Sequence, residues 1–503
     1  MSKDKPALII HGHFYQPPRE NPWTGAVDPE PSAHPFPNWN ERIFQECYRP
    51  NAFAEILDEK GKVLKAVNNY SGVSFNIGPT LFSWLEKFHP DTYQRILKAD
   101  QESIRRRGGH GNAIAQAYVH AILPLCNDRD RRTLVRWGMA EFQHRFGRSP
   151  ESLWLPETAC NEETLGVLID EGLKFVILSP SQAERVRADK QKDWLDVSKG
   201  TIDTGRPYRF LHRDGSDRSI VVFFYNDAVA KAIAFEGVLI SSRALVDRFE
   251  KHLEASSSLV SAAVDGESCG HHFRYGERCL AYALEEEAPK RGFRITNYGE
   301  FLEHNPPKVE LELKKSPDGK GTAWSCPHGL GRWYTDCGCQ VGGQEGWNQA
   351  WRGPLREALD LLRDKSAHFF QEAELFIDPW KARDRYVEVL LNPKTPQNFL
   401  EKHLKKNSGE RERAKALSHL ELQKDTLLMY SSCGWFFADI SGLESVLVMK
   451  FAGRVLDYFD ELGLKSPRKD FLEILSRAQS NLPKTGNGAD VFRRLVEPLS
   501  KKK

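Results

Sequence analysis

Two carboxylates in this chain stand where chemistry is usually done. An apolar run, Ser152-Leu153-Trp154-Leu155-Pro156, ends in Glu157, and much further along Leu259–Val264 ends in Asp265-Gly266-Glu267. An acidic residue closing a buried strand sits at the catalytic rim of an α/β fold, half desolvated and able to hold a displaced proton affinity. A carboxyl pair of this kind suits nucleophilic and acid/base work on a glycosidic bond. Acidic residues also follow strands as plain helix caps. The neighbourhoods argue against that here, with Trp154 and Pro156 beside Glu157, and Gly270-His271-His272-Phe273 shortly after Asp265.

The composition narrows the partners. Lys+Arg 71 against Asp+Glu 69 leaves a net charge of +2, which speaks against a nucleic acid or an anionic membrane surface and for a neutral substrate. Twelve Trp supply flat faces of the kind that stack on sugars. The apolar run Ala7–Ile10 is too short for a signal-peptide core or a membrane span, so a cytoplasmic protein is expected. Nine scattered Cys fit reduced thiols.

The elements that must carry the carboxylates follow from the pattern of short apolar runs. Seven such runs each leave a polar residue at the exit: Ala7–Ile10 leads to His11 and His13, Val73–Phe75 to Asn76, and a Gly-rich turn around His110 precedes Asn112–Gln116. Leu153–Leu155 leads to Glu157, Phe175–Leu178 to Ser179 and Gln182, Ile220–Tyr225 to Asn226, and Leu259–Val264 to Asp265. Repeated βα units imply a parallel sheet, and seven fit a barrel slightly smaller than the eightfold form. Pro207–His212 and Ser219–Phe224 read as an inserted hairpin. After Asn305-Pro306-Pro307 and the turn at 316–321 the chain becomes helical, with starts signposted at Asp378-Pro379, Thr395-Pro396 and Ser466-Pro467. The expected division is a barrel over 1–305, a Trp- and Cys-rich loop over 306–354 covering its mouth, and a helical domain over 355–500 completing the cleft.

With these residues assembled, the chain resembles family 57 of the glycoside hydrolases, from about residue 7 to about 440. His11-Gly12-His13 with Gln16-Pro17 is similar to the family's first motif, Trp154-Leu155-Pro156-Glu157 to its third, and Asp265-Gly266-Glu267-Ser268-Cys269-Gly270-His271 to its fourth. The stretch Gly109–Pro124 is similar to the second more loosely, and Ser431-Ser432-Cys433-Gly434-Trp435 looks like a modified fifth. Phe14-Tyr15, His272 and Cys433-Gly434 depart from the usual pattern. The resemblance implies an α/β fold, an incomplete (β/α)7 barrel followed by an α-helical C-terminal domain. It also implies a retaining hydrolase or glucanotransferase acting on α-1,4-linked glucan or maltooligosaccharide, with Glu157 as nucleophile, Asp265 as acid/base and no cofactor. His11, His13, His110, Trp154, Glu267, His271, Trp333, Trp351, Arg352 and Trp435 are the expected substrate-binding residues.

Two other chemistries use some of these residues. His11-x-His13 with Asp265, Glu267 and His271 or His272 has ligand-type spacing for a divalent metal, as in a metal-dependent carbohydrate hydrolase or deacetylase. A catalytically silent glucan-binding protein is the third reading. No metal is expected, although Cys326-x-His328 and Cys337-x-Cys339 are four soft ligands that could hold structural zinc; the plain alternative is reduced thiols in a Gly-rich loop.

Overall fold

The computed structural model describes residues 5–188, 191–253 and 257–500. Met1–Asp4, the head of the short apolar start, lie outside the described residues. The chain separates into two compact units, one made of Met1–Gln16, Pro29–Ala117 and Phe142–Trp324, the other of Pro17–Asp28, Tyr118–Glu141 and Ser325–Lys503.

The first unit is built on the seven expected strands: β1 (Ala7–Phe14), β2 (Ser74–Ile77), β3 (Ala115–Gln116), β4 (Leu153–Trp154), β5 (Phe175–Leu178), β6 (Ser219–Phe224) and β7 (Leu259–Asp265). All eight residues of β1 and all four of β5 are buried, as expected for parallel strands covered on both faces. β1 pairs in parallel with β7 and β2, β3 with β4, and β5 with β6. Single parallel bridges, Phe75 to Ala113 and Ser152 to Phe175, join β2 to the β3 segment and β4 to β5. At the far side the Asn226 amide donates to the Ser261 carbonyl at 2.7 Å, linking the exit of β6 to β7. Tyr208–Leu211 pairs antiparallel with β6, so the expected hairpin forms and one of its arms is itself a parallel strand.

The expected boundary at 305 moves. Val309–Leu313, expected within a covering loop, is a strand between Tyr208–Leu211 and Ala183–Ala188, so the first unit continues to Trp324. The second unit in turn takes in two segments that a linear reading gave to the first. Trp23 Nε1 donates to Asp457 at 2.8 Å, and Trp137 Nε1 donates to the carbonyl of Arg383 at 3.1 Å. Its helices include Arg352–Glu372, Pro379–Arg385, Glu410–Leu428 and Leu443–Glu461. Asp378 caps its helix by accepting from the Lys381 amide, as its position before Pro379 predicts, whereas the helix expected at Ser466-Pro467 begins one residue later, at Arg468. Among the described residues no helix is long and apolar enough to cross a membrane.

β1 and the turn after β7 are held in contact by a ring. A Cβ on Gly266 would lie 2.3 Å from Phe14 Cε1, and Phe14 is itself buried against Tyr48 and Tyr70. We expect Gly266→Ala to destabilise the protein by about 1–3 kcal/mol through overpacking, read as a lowered midpoint in urea denaturation.

Candidate active site

The strand registers align the exit residues side by side. His13 lies opposite Asp265 on one flank of β1 and opposite Asn76 on the other, and Gln116 lies opposite Trp154. One buried amide ties this belt together. Asn76 Oδ1 accepts from His11 Nε2 at 3.0 Å, while its Nδ2 group donates to His13 Nδ1 at 2.9 Å and to Gln116 Oε1 at 2.8 Å. His11 Nδ1 accepts from the Ser74 hydroxyl at 3.0 Å. Complete burial pushes the His11 imidazole down to about 3, so it is neutral at physiological pH. Because His13 Nδ1 accepts, the ring proton of neutral His13 sits on Nε2. Both imidazoles stack on the Trp154 indole, at centroid separations of 4.8 and 5.1 Å.

Glu157 sits in a strained turn. It has φ 60° and Thr158 φ 50°, two successive left-handed residues that are not glycine; such backbone costs on the order of 1–3 kcal/mol per residue and persists where surrounding groups over-determine it. Those groups are identifiable. Gln182 accepts from the Thr158 hydroxyl at 2.9 Å and donates to the Thr158 carbonyl at 2.8 Å. The Trp324 amide donates to the Glu157 carbonyl, and its indole Nε1 donates to Glu157 Oε2 at 3.0 Å. The turn thereby lifts a half-buried carboxylate off β4 and Trp324 fixes its direction.

Asp265 and Glu267 part company at Gly266. Asp265 is the one exposed residue of β7. Its surface reaches solvent, yet the protein crowding round it thins the water. That desolvation, and then the charges of Glu267 and Glu157, hold the carboxyl well above the usual carboxylate range. Glu267 turns inward to 8% exposure, where its Oε1 accepts from the Tyr48 hydroxyl at 2.7 Å and the Tyr15 amide at 3.0 Å. Burial lifts its carboxyl to about 7, against the opposing pull of these hydrogen bonds.

Several expected binding residues have other work. His110 bridges Glu151 and Glu303 at 2.9 and 3.1 Å, and Glu151 also pairs with Lys174. Glu151 and Lys174 immediately precede β4 and β5, so His110 belongs to the N-terminal ends of the strands, away from the exits where Glu157 and Asp265 stand. His271 pairs with Glu46 and packs edge-on to Trp39. Glu267 is an internal acceptor. Trp333, Trp351, Arg352 and Trp435 are each fully buried in the second unit: Trp351 donates to the carbonyl of Ala438, Trp435 to that of Arg352, and the Arg356 guanidinium covers the Trp435 ring at 4.5 Å. Their faces are closed, which corrects the expectation of sugar-stacking platforms. The loosely matched second and fifth motifs do meet, through His120 and the Ser432 hydroxyl at 2.6 Å. The metal reading of the histidines loses His11, both of whose nitrogens are engaged inside the protein, and among the described residues its other members do not form a convergent group of ligand atoms.

Sequence reasoning missed Ser74 and Tyr48 as parts of the site, placed Trp324 only among the tryptophans of the expected covering loop, and noted Asn76, Gln116 and Gln182 only as residues at strand exits. Gln116 Nε2 and Trp154 Nε1 are buried N–H donors with no protein acceptor among the described residues.

Comparison with known proteins bears on what this belt is. The model of glycosyl hydrolase family 57 matches residues 7–314, more than half of the chain. The chain belongs to that family. A second model, described as a domain of unknown function (DUF3536), matches residues 347–502. An α-amylase of Pyrococcus abyssi is 25% identical over 297 residues, which are 57% of this chain and 39% of that protein. One of Pyrococcus horikoshii is 24% identical over 295 residues, 57% of this chain and 41% of that one. The chain thus spans about two fifths of the length of these relatives. Among solved structures, an exo-type maltose-forming amylase of Pyrococcus sp. ST04 superposes with TM-score 0.68 at 16% identity, covering 99% of this chain and 93% of the other. A branching enzyme of Pyrococcus horikoshii of the same family gives 0.56 at 14% identity, covering 98% and 96%. These likenesses establish an α/β fold with a helical C-terminal region.

Two outcomes follow from the geometry. His110→Gln should cost about 1–2 kcal/mol of stability in thermal or urea unfolding, with turnover on α-glucans unchanged. Glu267→Gln keeps an acceptor for Tyr48 and Tyr15 but removes a negative charge that raises Asp265. The proton affinity of Asp265 then falls, so the alkaline limb of the pH–rate profile should move to lower pH; an unmoved limb would show that Glu267 does not act on Asp265.

Proposed function

We propose that this protein is a retaining glycosidase or glucanotransferase acting on α-1,4-linked glucan. The observation that carries the reading is the electrostatic coupling of two carboxyls on separate strand exits: the charge of Glu157 helps hold Asp265 in its protonated form. The family's α-glucan-acting relatives supply the substrate class.

The seven strands, in the order β7–β1–β2–β3–β4–β5–β6, are read as the incomplete (β/α)7 barrel. The Asn226–Ser261 hydrogen bond supports its closure between β6 and β7. In such a ring β4 and β7 stand on opposite walls, and their exit residues face each other across the mouth. Glu157 is the nucleophile and Asp265 the acid/base; a retaining mechanism requires a separation of about 5–5.5 Å between two such carboxyls. The Glu157 carboxylate attacks the anomeric carbon, the glycosidic bond breaks, and the proton of Asp265 goes to the departing oxygen. Asp265 then takes a proton from the incoming water or sugar hydroxyl, whose oxygen displaces Glu157 and restores both groups. In this reading His13 borders the sugar's path, held in place by stacking on the buried Trp154 indole and, with the neutral His11, by Asn76.

Glu157→Gln and Asp265→Asn, each shown to be folded by circular dichroism, should lose about 10²–10⁴-fold or more in turnover on maltooligosaccharides. Wild-type rate in either folded variant would overturn the assignment. The rate of the wild-type protein should fall as pH rises through the elevated titration of Asp265, since the leaving oxygen needs its proton. Product anomers followed by NMR test retention directly.

A further inference from the structure

We propose that Cys326, His328, Cys337 and Cys339 form a structural zinc site in the second unit. This stands apart from the glucan chemistry. The four residues lie between the segments matched by the two family models, and neither accounts for them.

The geometry is that of a site already shaped for the ion. Cys326 Sγ lies 4.0 Å from Cys337 Sγ and 3.9 Å from Cys339 Sγ, and Cys339 Sγ lies 3.5 Å from His328 Nδ1. All four ligand atoms fall within 4.8 Å of one another. Zinc bonds of about 2.3 Å to sulfur and about 2.0–2.1 Å to nitrogen, at tetrahedral angles, require sulfur–sulfur edges of about 3.8 Å and sulfur–nitrogen edges of about 3.6 Å. The separations of 4.0, 3.9 and 3.5 Å lie within about 0.2 Å of those edges, and the two sulfur–sulfur distances are about twice a disulfide bond length. The backbone allows this convergence, because Gly338, between Cys337 and Cys339, takes φ 80°, which turns both thiols to one side at no steric cost.

Charge balance supplies an independent argument. Arg352 is fully buried and Arg332 is 7% exposed, yet neither has a carboxylate partner among the described residues. Arg332 donates to the carbonyls of Phe436 and Ser325, and Arg352 to those of Phe436 and Phe437, with its Nη1 4.0 Å from Cys337 Sγ. Buried cations need a counter-charge. Zinc held by three thiolates and a neutral imidazole carries one net negative charge and places it beside these two guanidinium groups, offsetting part of their charge, while three thiols and a neutral imidazole without metal offset none. Zinc binding deprotonates the three thiols and releases their protons to solvent.

Elemental analysis of the full-length protein, purified under reducing conditions without chelator, should give about one zinc per chain. The double variant Cys337→Ser/Cys339→Ser should carry less than about a tenth of that. Replacement by cobalt(II) in the wild-type chain should produce thiolate-to-cobalt charge transfer in the near ultraviolet and tetrahedral bands in the visible, a readout that needs no variant to fold. A chain that takes up neither zinc nor cobalt after reduction and incubation with the ion overturns the proposal. So does cobalt bound without charge-transfer bands, or peptide mapping that finds these cysteines paired as disulfides in the freshly purified protein.

Discussion

The left-handed turn at Glu157 and Thr158 is the constraint from which the rest of the site follows. A strand can deliver a carboxylate to a rim, but a straight continuation would carry it away along the chain. Turning the backbone into a sparsely populated region raises the side chain off the strand end, and the cost is met by groups far away in sequence. Gln182, at the exit of β5, satisfies both polar groups of Thr158, and Trp324 grips Glu157 by its carbonyl and its carboxylate. Side chains that hold a strained backbone this way are themselves buried or hydrogen-bonded, so the reactive geometry is set before any ligand arrives.

The strand exits around β1 are organised by a different means. β1 contributes no acid, yet its register sets His13 beside both Asp265 and Asn76. The single amide of Asn76 then fixes both histidine rings and Gln116 at once. Low polarity keeps His11 uncharged, and desolvation together with neighbouring charge raises the proton affinity of Asp265. Desolvation thus acts in opposite directions on the proton affinities of a base and an acid, in each case favouring the neutral form.

Much of this was legible in the residue pattern. All seven strands were marked by apolar runs ending in polar residues, because buried parallel strands must be apolar throughout and their chemistry can only begin where they end. Glu157 and Asp265 were legible for the same reason. His110 misled because its glycine turn precedes a strand, and composition does not distinguish the start of a strand from its exit. Asp265 and Glu267, two apart, would share a face in an unbroken strand, but the 3-10 turn that begins at Gly266 sends them to different sides. The tryptophans at 333, 351 and 435 misled because an indole suits a core as well as a sugar. Trp324, in the same Trp-rich stretch, is the one that touches the Glu157 carboxylate, and only the fold distinguishes it from the others.

Trp324 lies ten residues beyond the end of the family match, which closes at Leu313-Lys314. A fragment trimmed to that boundary would retain the first four motifs and both acids, yet would lack the indole and amide that anchor Glu157. The body that holds Glu157 in its turn is therefore set by a hydrogen bond, and it is longer than sequence similarity alone would draw it.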